Sequence, residues 1–148
     1  MKTSTKLPII FVQLLVFMMT LTIQSCDYGY SAKVINNSKT DILIEMKFDK
    51  AIMKEQIMKG RPYKNNIETF MNQGGILISF DTINQISKRK IRPNESYIVD
   101  EGLGGRPDFS EFISIIIYSQ DTLVLDSKVK IEEAFKKIKA RTFVLEIK

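Results

Sequence analysis

The sequence predicts an all-β domain: an antiparallel sandwich or barrel of seven or eight short strands with one or two short helices. Three observations carry that prediction. Hydrophobic and polar residues alternate with a period of two in several stretches, and clusters of Gly, Asn, Asp, Ser and Pro separate those stretches. The length of 148 residues, 44% hydrophobic and 26% charged, suits one folded core and leaves little room for a second.

Residues 1–6 carry Lys2 and Lys6 and no acid, and residues 7–23 (LPIIFVQLLVFMMTLTI) carry no charge at all. A basic head, an apolar run and a small residue before a boundary make a secretory signal peptide. A membrane-spanning helix is the rival reading, but it needs about 20 apolar residues. The run here is shorter and is broken by Gln13, Thr20 and Thr22.

Ile23-Gln24-Ser25-Cys26 closes the apolar run and resembles the bacterial lipobox. That resemblance implies cleavage before Cys26 and acylation of its sulfur and of the new amine. The expected organisation is a signal peptide over 1–25, a lipidated tether over 26–31 and a β-domain over 32–148. Acyl chains worth about 0.8 kcal/mol per buried CH₂ would hold such a chain on a membrane almost permanently. Losing Lys2 and Lys6 with the signal lowers the formal net charge from +5 to +3.

The mature chain divides as follows. Residues 32–36 and the Asn37-Ser38-Lys39 turn predict a hairpin with the next strand, where Ile42, Ile44, Met46 and Phe48 alternate with Glu45 and Lys47. Residues 49–60 read equally as helix or strand. Asn65 or Asn66 caps a predicted turn holding Ile67, Phe70 and Met71, which Gly74 ends. Strands follow at 76–80, 96–100, 112–119, 122–126 and 141–147, the last alternating with Phe143, Leu145 and Ile147 inward. The 112–118 segment, apolar on both faces, is expected to be central. Residues 82–91 form one more strand, expected at an edge because Lys88-Arg89-Lys90 discourages further pairing. Ile131, Phe135 and Ile138, with Glu132–Lys136 and Glu133–Lys137 pairs, predict a helix over that stretch.

The lipobox, the early Asn36-Asn37-Ser38 turn, the Arg92-Pro93-Asn94-Glu95 lead-in to a strand and the strand-turn-strand-helix-strand ending together resemble small envelope lipoproteins of Bacteroidota-type bacteria. The resemblance implies an immunoglobulin-like or transthyretin-like sandwich of about seven strands. It contributes no site residue.

Absences bound the chemistry. There is no His, no Trp and a single Cys, which excludes a Ser-His-Asp triad, a Cys-His pair, histidine metal sites, zinc ribbons and an intrachain disulfide. The stretch richest in reactive groups is 100–111, where Asp100, Glu101, Asp108 and Glu111 surround Gly102-Leu103-Gly104-Gly105. Its readings are a plain surface loop with Arg106 neutralising Asp108, a Ca²⁺ loop, or the acid and base of a glycan hydrolase. The spacing is not that of a calcium loop, and the glycines lack the Lys-Ser/Thr pair of a phosphate loop.

Lys88-Arg89-Lys90-Ile91-Arg92 reads as a solvated strand edge or a patch for phosphate-bearing glycolipid, acidic polysaccharide or an acidic protein. No element suited to a nucleic-acid groove accompanies it. Asp81-Thr82-Ile83 and Asp121-Thr122-Leu123 resemble the O-glycosylation tripeptide of Bacteroidota-type envelopes, while the sequons at Asn36 and Asn94 are read as turns.

The expected protein is therefore a non-enzymatic lipoprotein without cofactor or metal, held through acyl chains on Cys26 in the bacterial cell envelope. The outer membrane is favoured over the inner. Its expected partners are the membrane and an envelope protein or glycan, not nucleic acid. The alternatives are an inhibitor or immunity lipoprotein against a toxin or hydrolase, and a carboxylate-based glycan hydrolase.

Overall fold

The computed structural model describes residues 29–58 and 74–148. The signal segment, Cys26 and the turn expected at 65–71 lie outside them. The described chain is a two-sheet β-sandwich. Its elements are β1 (Gly29–Asn36), β2 (Ile42–Phe48), α1 (Lys50–Met58), β3 (Ile76–Asp81), β4 (Ile86–Ile91), β5 (Ser96–Leu103), β6 (Phe112–Tyr118), β7 (Thr122–Leu125), α2 (Lys128–Ala134), β8 (Lys136–Lys139) and β9 (Thr142–Ile147). One sheet has the order β5-β1-β9-β8 and the other β3-β4-β2-β6-β7. All neighbours are antiparallel except β1 and β9, which run parallel.

The core lies between the sheets, and the alternation seen in sequence decides what fills it. Ile42, Ile44, Met46 and Phe48 of β2 meet Ile91, Ile115 and Ile117 of the same sheet and Val34, Leu145 and Ile147 of the other. The last strand turns Leu145 and Ile147 inward as expected, and Phe143 is half-buried against the same core.

The predicted β1–β2 hairpin does not form. β1 pairs with β5 and β9, whereas β2 belongs to the other sheet, so residues 37–41 carry the chain across the sandwich. Asn36 explains the crossing. Its fully buried side-chain amide donates to the carbonyls of Thr40 (2.8 Å) and Ile91 (3.0 Å), and its carbonyl oxygen accepts from the Ser38 N–H (3.0 Å) and hydroxyl (2.6 Å). These bonds satisfy the backbone of an arch that no hairpin ladder serves.

Three further expectations are corrected, and the open reading of 49–60 is decided. The first strand starts at Gly29, three residues early. Residues 50–58 are helical, with the Asp49 carboxylate accepting from the Ala51 and Ile52 N–H groups (2.8 and 3.2 Å) as an N-cap. The 82–91 segment divides into a turn and β4, and β4 is an interior strand covered by β3. The late helix stops at Ala134. Phe135 takes an extended conformation (φ −84°, ψ 109°), and residues 136–139 become β8, pairing with β9. Backbone pairing along β9 and a Phe135 ring 4.9 Å from that of Phe109 outweigh the helical spacing, which leaves Ile138 half-exposed. The described residues thus hold nine strands rather than about seven. Strand β6 is interior, as expected, but β2 is the middle strand of its sheet.

Candidate functional site

The 100–111 stretch divides its carboxylates between core and surface: Asp100 and Glu111 are buried, Glu101 and Asp108 exposed. Between Ala32↔Asp100 and Lys33↔Ile98 the β1–β5 register shifts, leaving Val99 as an extra residue. Such a bulge turns two successive residues the same way. Asp100 therefore shares the core face of Ala32 and is 3% exposed, while Glu101 points outward. Glu111 is also buried, and its carbonyl accepts from the Asp49 N–H (2.8 Å).

Asp108 is exposed and engaged elsewhere. Its carboxylate accepts from Lys128 Nζ (2.6 Å) and the Ser110 hydroxyl (2.8 Å), and these bonds, Lys128 first, hold it below the usual carboxylate range. The partner expected from sequence, Arg106, exerts only a minor pull. Among the described residues no group of three acidic, His or Cys side chains is placed to hold a metal ion.

The buried acids have a partner that sequence reasoning missed. Tyr30, opposite Gly102 in the β1–β5 pair, donates its hydroxyl to the Asp100 carboxylate. Burial, then the charges of Asp100, Glu111 and Asp108, push its phenol well above the ordinary value. Such a phenol stays protonated and is a poor acid near neutrality. The ring lies flat against the strand at Gly102, where a Cβ would come within 2.9 Å of the Tyr30 hydroxyl oxygen. A side chain at 102 would have to displace that ring.

The basic run also separates. Lys88 and Lys90 point outward to Glu45 of neighbouring β2 (2.8 Å) and to Asp41 just before it (3.2 Å). Arg89 points into the core and is fully buried. Its Nη1 donates to the Gly74 carbonyl (2.9 Å), it hydrogen-bonds Tyr97, and its guanidinium carbon stands 4.9 Å from the Tyr97 ring centroid. Tyr97 belongs to the other sheet, so this cation–π contact links the two layers. The in-phase neighbour Ile91 was the available signal that this face of β4 is buried. The four cations of the run are thus two ion-paired lysines, one structural arginine and the exposed Arg92.

The remaining marks resolve by position. Thr82 is exposed on the β3–β4 turn and Thr122 at the start of β7, at opposite ends of the sandwich. Asn36 is sealed in the arch. Asn94 (φ 63°) follows Pro93 in a turn closed by the Glu95 N–H donating to the Arg92 carbonyl (3.1 Å). No helix among the described residues is long and apolar enough to cross a membrane. No known family model, curated protein or solved structure matches this chain.

Proposed function

We propose that this protein is a lipid-anchored lipoprotein of the bacterial cell envelope whose β-sandwich binds or supports rather than catalyses. The observation that carries the reading is Ile23-Gln24-Ser25-Cys26 at the close of an uncharged run, with the first strand beginning three residues later at Gly29. Anchoring confines the domain to a surface, where weak contacts act at high effective concentration. Against the glycan-hydrolase alternative stands the state of the four carboxylates: Asp100 and Glu111 are buried, and the exposed Asp108 is held by Lys128 and Ser110.

The test is the intact mass of the full-length chain expressed in a bacterial host and extracted from membranes with detergent. A mass for residues 26–148 plus two or three acyl chains is expected. An uncut chain would instead make Leu7–Ile23 the anchor, and a cut chain without lipid would end the tethering argument.

A further inference from the structure

The three most exposed large apolar side chains of the described residues are Ile83 (77%), Leu103 (76%) and Val129 (61%). They come from separate parts of the sequence, and all lie at one end of the sandwich. Leu103 sits directly opposite Gly29 in the β1–β5 pair. Strand β1 leads away from Gly29 and crosses into β2, so the far end of β2 returns to the Gly29 end. There the Phe48 N–H donates to the Gln85 carbonyl (3.0 Å), which places the 82–85 turn and Ile83 beside it. The Lys128–Asp108 ion pair (2.6 Å) ties the start of α2, and with it Val129, to the loop that follows Leu103.

Turn tips are ordinarily polar. Here Ile83 is apolar on a short, well-bonded turn, where the Asp81 carboxylate accepts from the Ile83 and Asn84 N–H groups (2.8 and 2.9 Å), while Leu103 ends β5 and Val129 lies in the first turn of α2. Exposed cations accompany them, Arg106 next to the Leu103 loop and Lys139 at the end of β8. Cys26 is three residues from Gly29, and three residues of extended chain reach at most about 11 Å. An anchor at Cys26 would hold this end of the sandwich, and no other, against the bilayer.

We infer that the Gly29 end of the sandwich is a lipid-docking surface, with Ile83, Leu103 and Val129 entering the bilayer interface and Arg106 and Lys139 at the level of the phosphates. Exposed apolar side chains flanked by cations are the arrangement by which peripheral proteins bind membranes. The inference rests on the lipoprotein reading and deepens it. It makes the orientation of the domain fixed, with the 37–41 arch and the β6–β7 turn presented away from the membrane.

The test uses the full chain purified from membranes and reconstituted in vesicles of phosphatidylethanolamine and phosphatidylglycerol. Acylation would consume the Cys26 thiol, so Ile83→Cys, Leu103→Cys, Val129→Cys and, at the opposite end, Lys39→Cys each offer one site for an environment-sensitive fluorophore; where the mass shows no lipid, the same variants carrying Cys26→Ser supply the one-site samples. Labels at 83, 103 and 129 should shift to the blue and lose quenching by aqueous iodide, while the label at 39 should not. Equal quenching at all four positions overturns the proposal. The intact mass of the same samples separates the two readings. Lipidated protein with wet labels defeats the docking surface alone. Unlipidated protein with shielded labels defeats the anchor and keeps the surface, and unlipidated protein with wet labels defeats both.

Discussion

Arg89 shows how far one side chain departs from its neighbours in a charge run. Lys88 and Lys90 solvate their charges at the rim, but Arg89 is committed to the core by the Gly74 carbonyl and the Tyr97 ring. Arg89→Ala leaves those groups without a partner and opens a cavity, which should cost about 3 kcal/mol in urea unfolding. Arg89→Met, which fills the space without a charge to desolvate, should recover at least half of that loss. Equal losses for the two variants would mean that the hydrogen bonds, not the filled volume, hold the site together. Tyr97 adds a pH effect. Burial pushes its phenol above the ordinary value near 10. The unfolded chain therefore releases this proton at lower pH than the folded one. The stabilisation is complete below about pH 10 and is lost as pH rises above it toward the folded value. Tyr97→Phe should flatten the alkaline decline in denaturant midpoint, and an unchanged decline would assign it to other groups.

At the scale of elements, strand position was read least well. The run 88–90 looks like an edge because its charge is read as a sum, whereas pairing responds to charge on each face. On β4 the lysines face outward to Glu45 and Asp41, and the core face holds Ser87, Arg89 and Ile91. Because β3 and β2 cover both of its edges, β4 amides should exchange with deuterium far more slowly than those of the terminal strand β7. Peptide-resolved hydrogen exchange checks this, and comparable rates would mean that β3 opens readily. The late helix failed for a related reason. Ile131 and Phe135 are both buried, as the spacing promised, but Phe135 reaches its site by ending the helix. Ser127 starts α2 as an N-cap, its hydroxyl accepting from the Lys130 N–H (3.3 Å), and ion pairs run from Lys128 to Glu132 and from Lys130 to Asp126. The expected Glu132–Lys136 and Glu133–Lys137 pairs have no helix to carry them, since both lysines lie on β8.

At the scale of the molecule, the two sheets are held by inward apolar residues, many of them β-branched, with polar contacts at Arg89–Tyr97 and at Asn36. The ends of the sandwich differ. One carries the exposed apolar Ile83, Leu103 and Val129 near Gly29. The other carries the polar Asn36 arch and the Ser119 hydroxyl, which donates to the Asp121 carbonyl (2.7 Å). That polarity gives the tethering reading a direction, because whatever the protein binds would meet the arch end first.

Local pattern alone determined the all-β class, most strand positions, the inward faces of β2 and β9 and the resemblance at Cys26, because alternation and a signal segment are properties of neighbouring residues. Partner choice between strands was decided only in three dimensions. Whether Asn37-Ser38-Lys39 makes a hairpin or an arch depends on Ile91, which accepts from Asn36 across 55 positions of sequence. Asp100 is buried because of a register shift against β1, and Arg89 because Tyr97 waits on the opposite sheet. These are long-range pairings, and the free energy that selects them appears only when the two sheets close over a shared core.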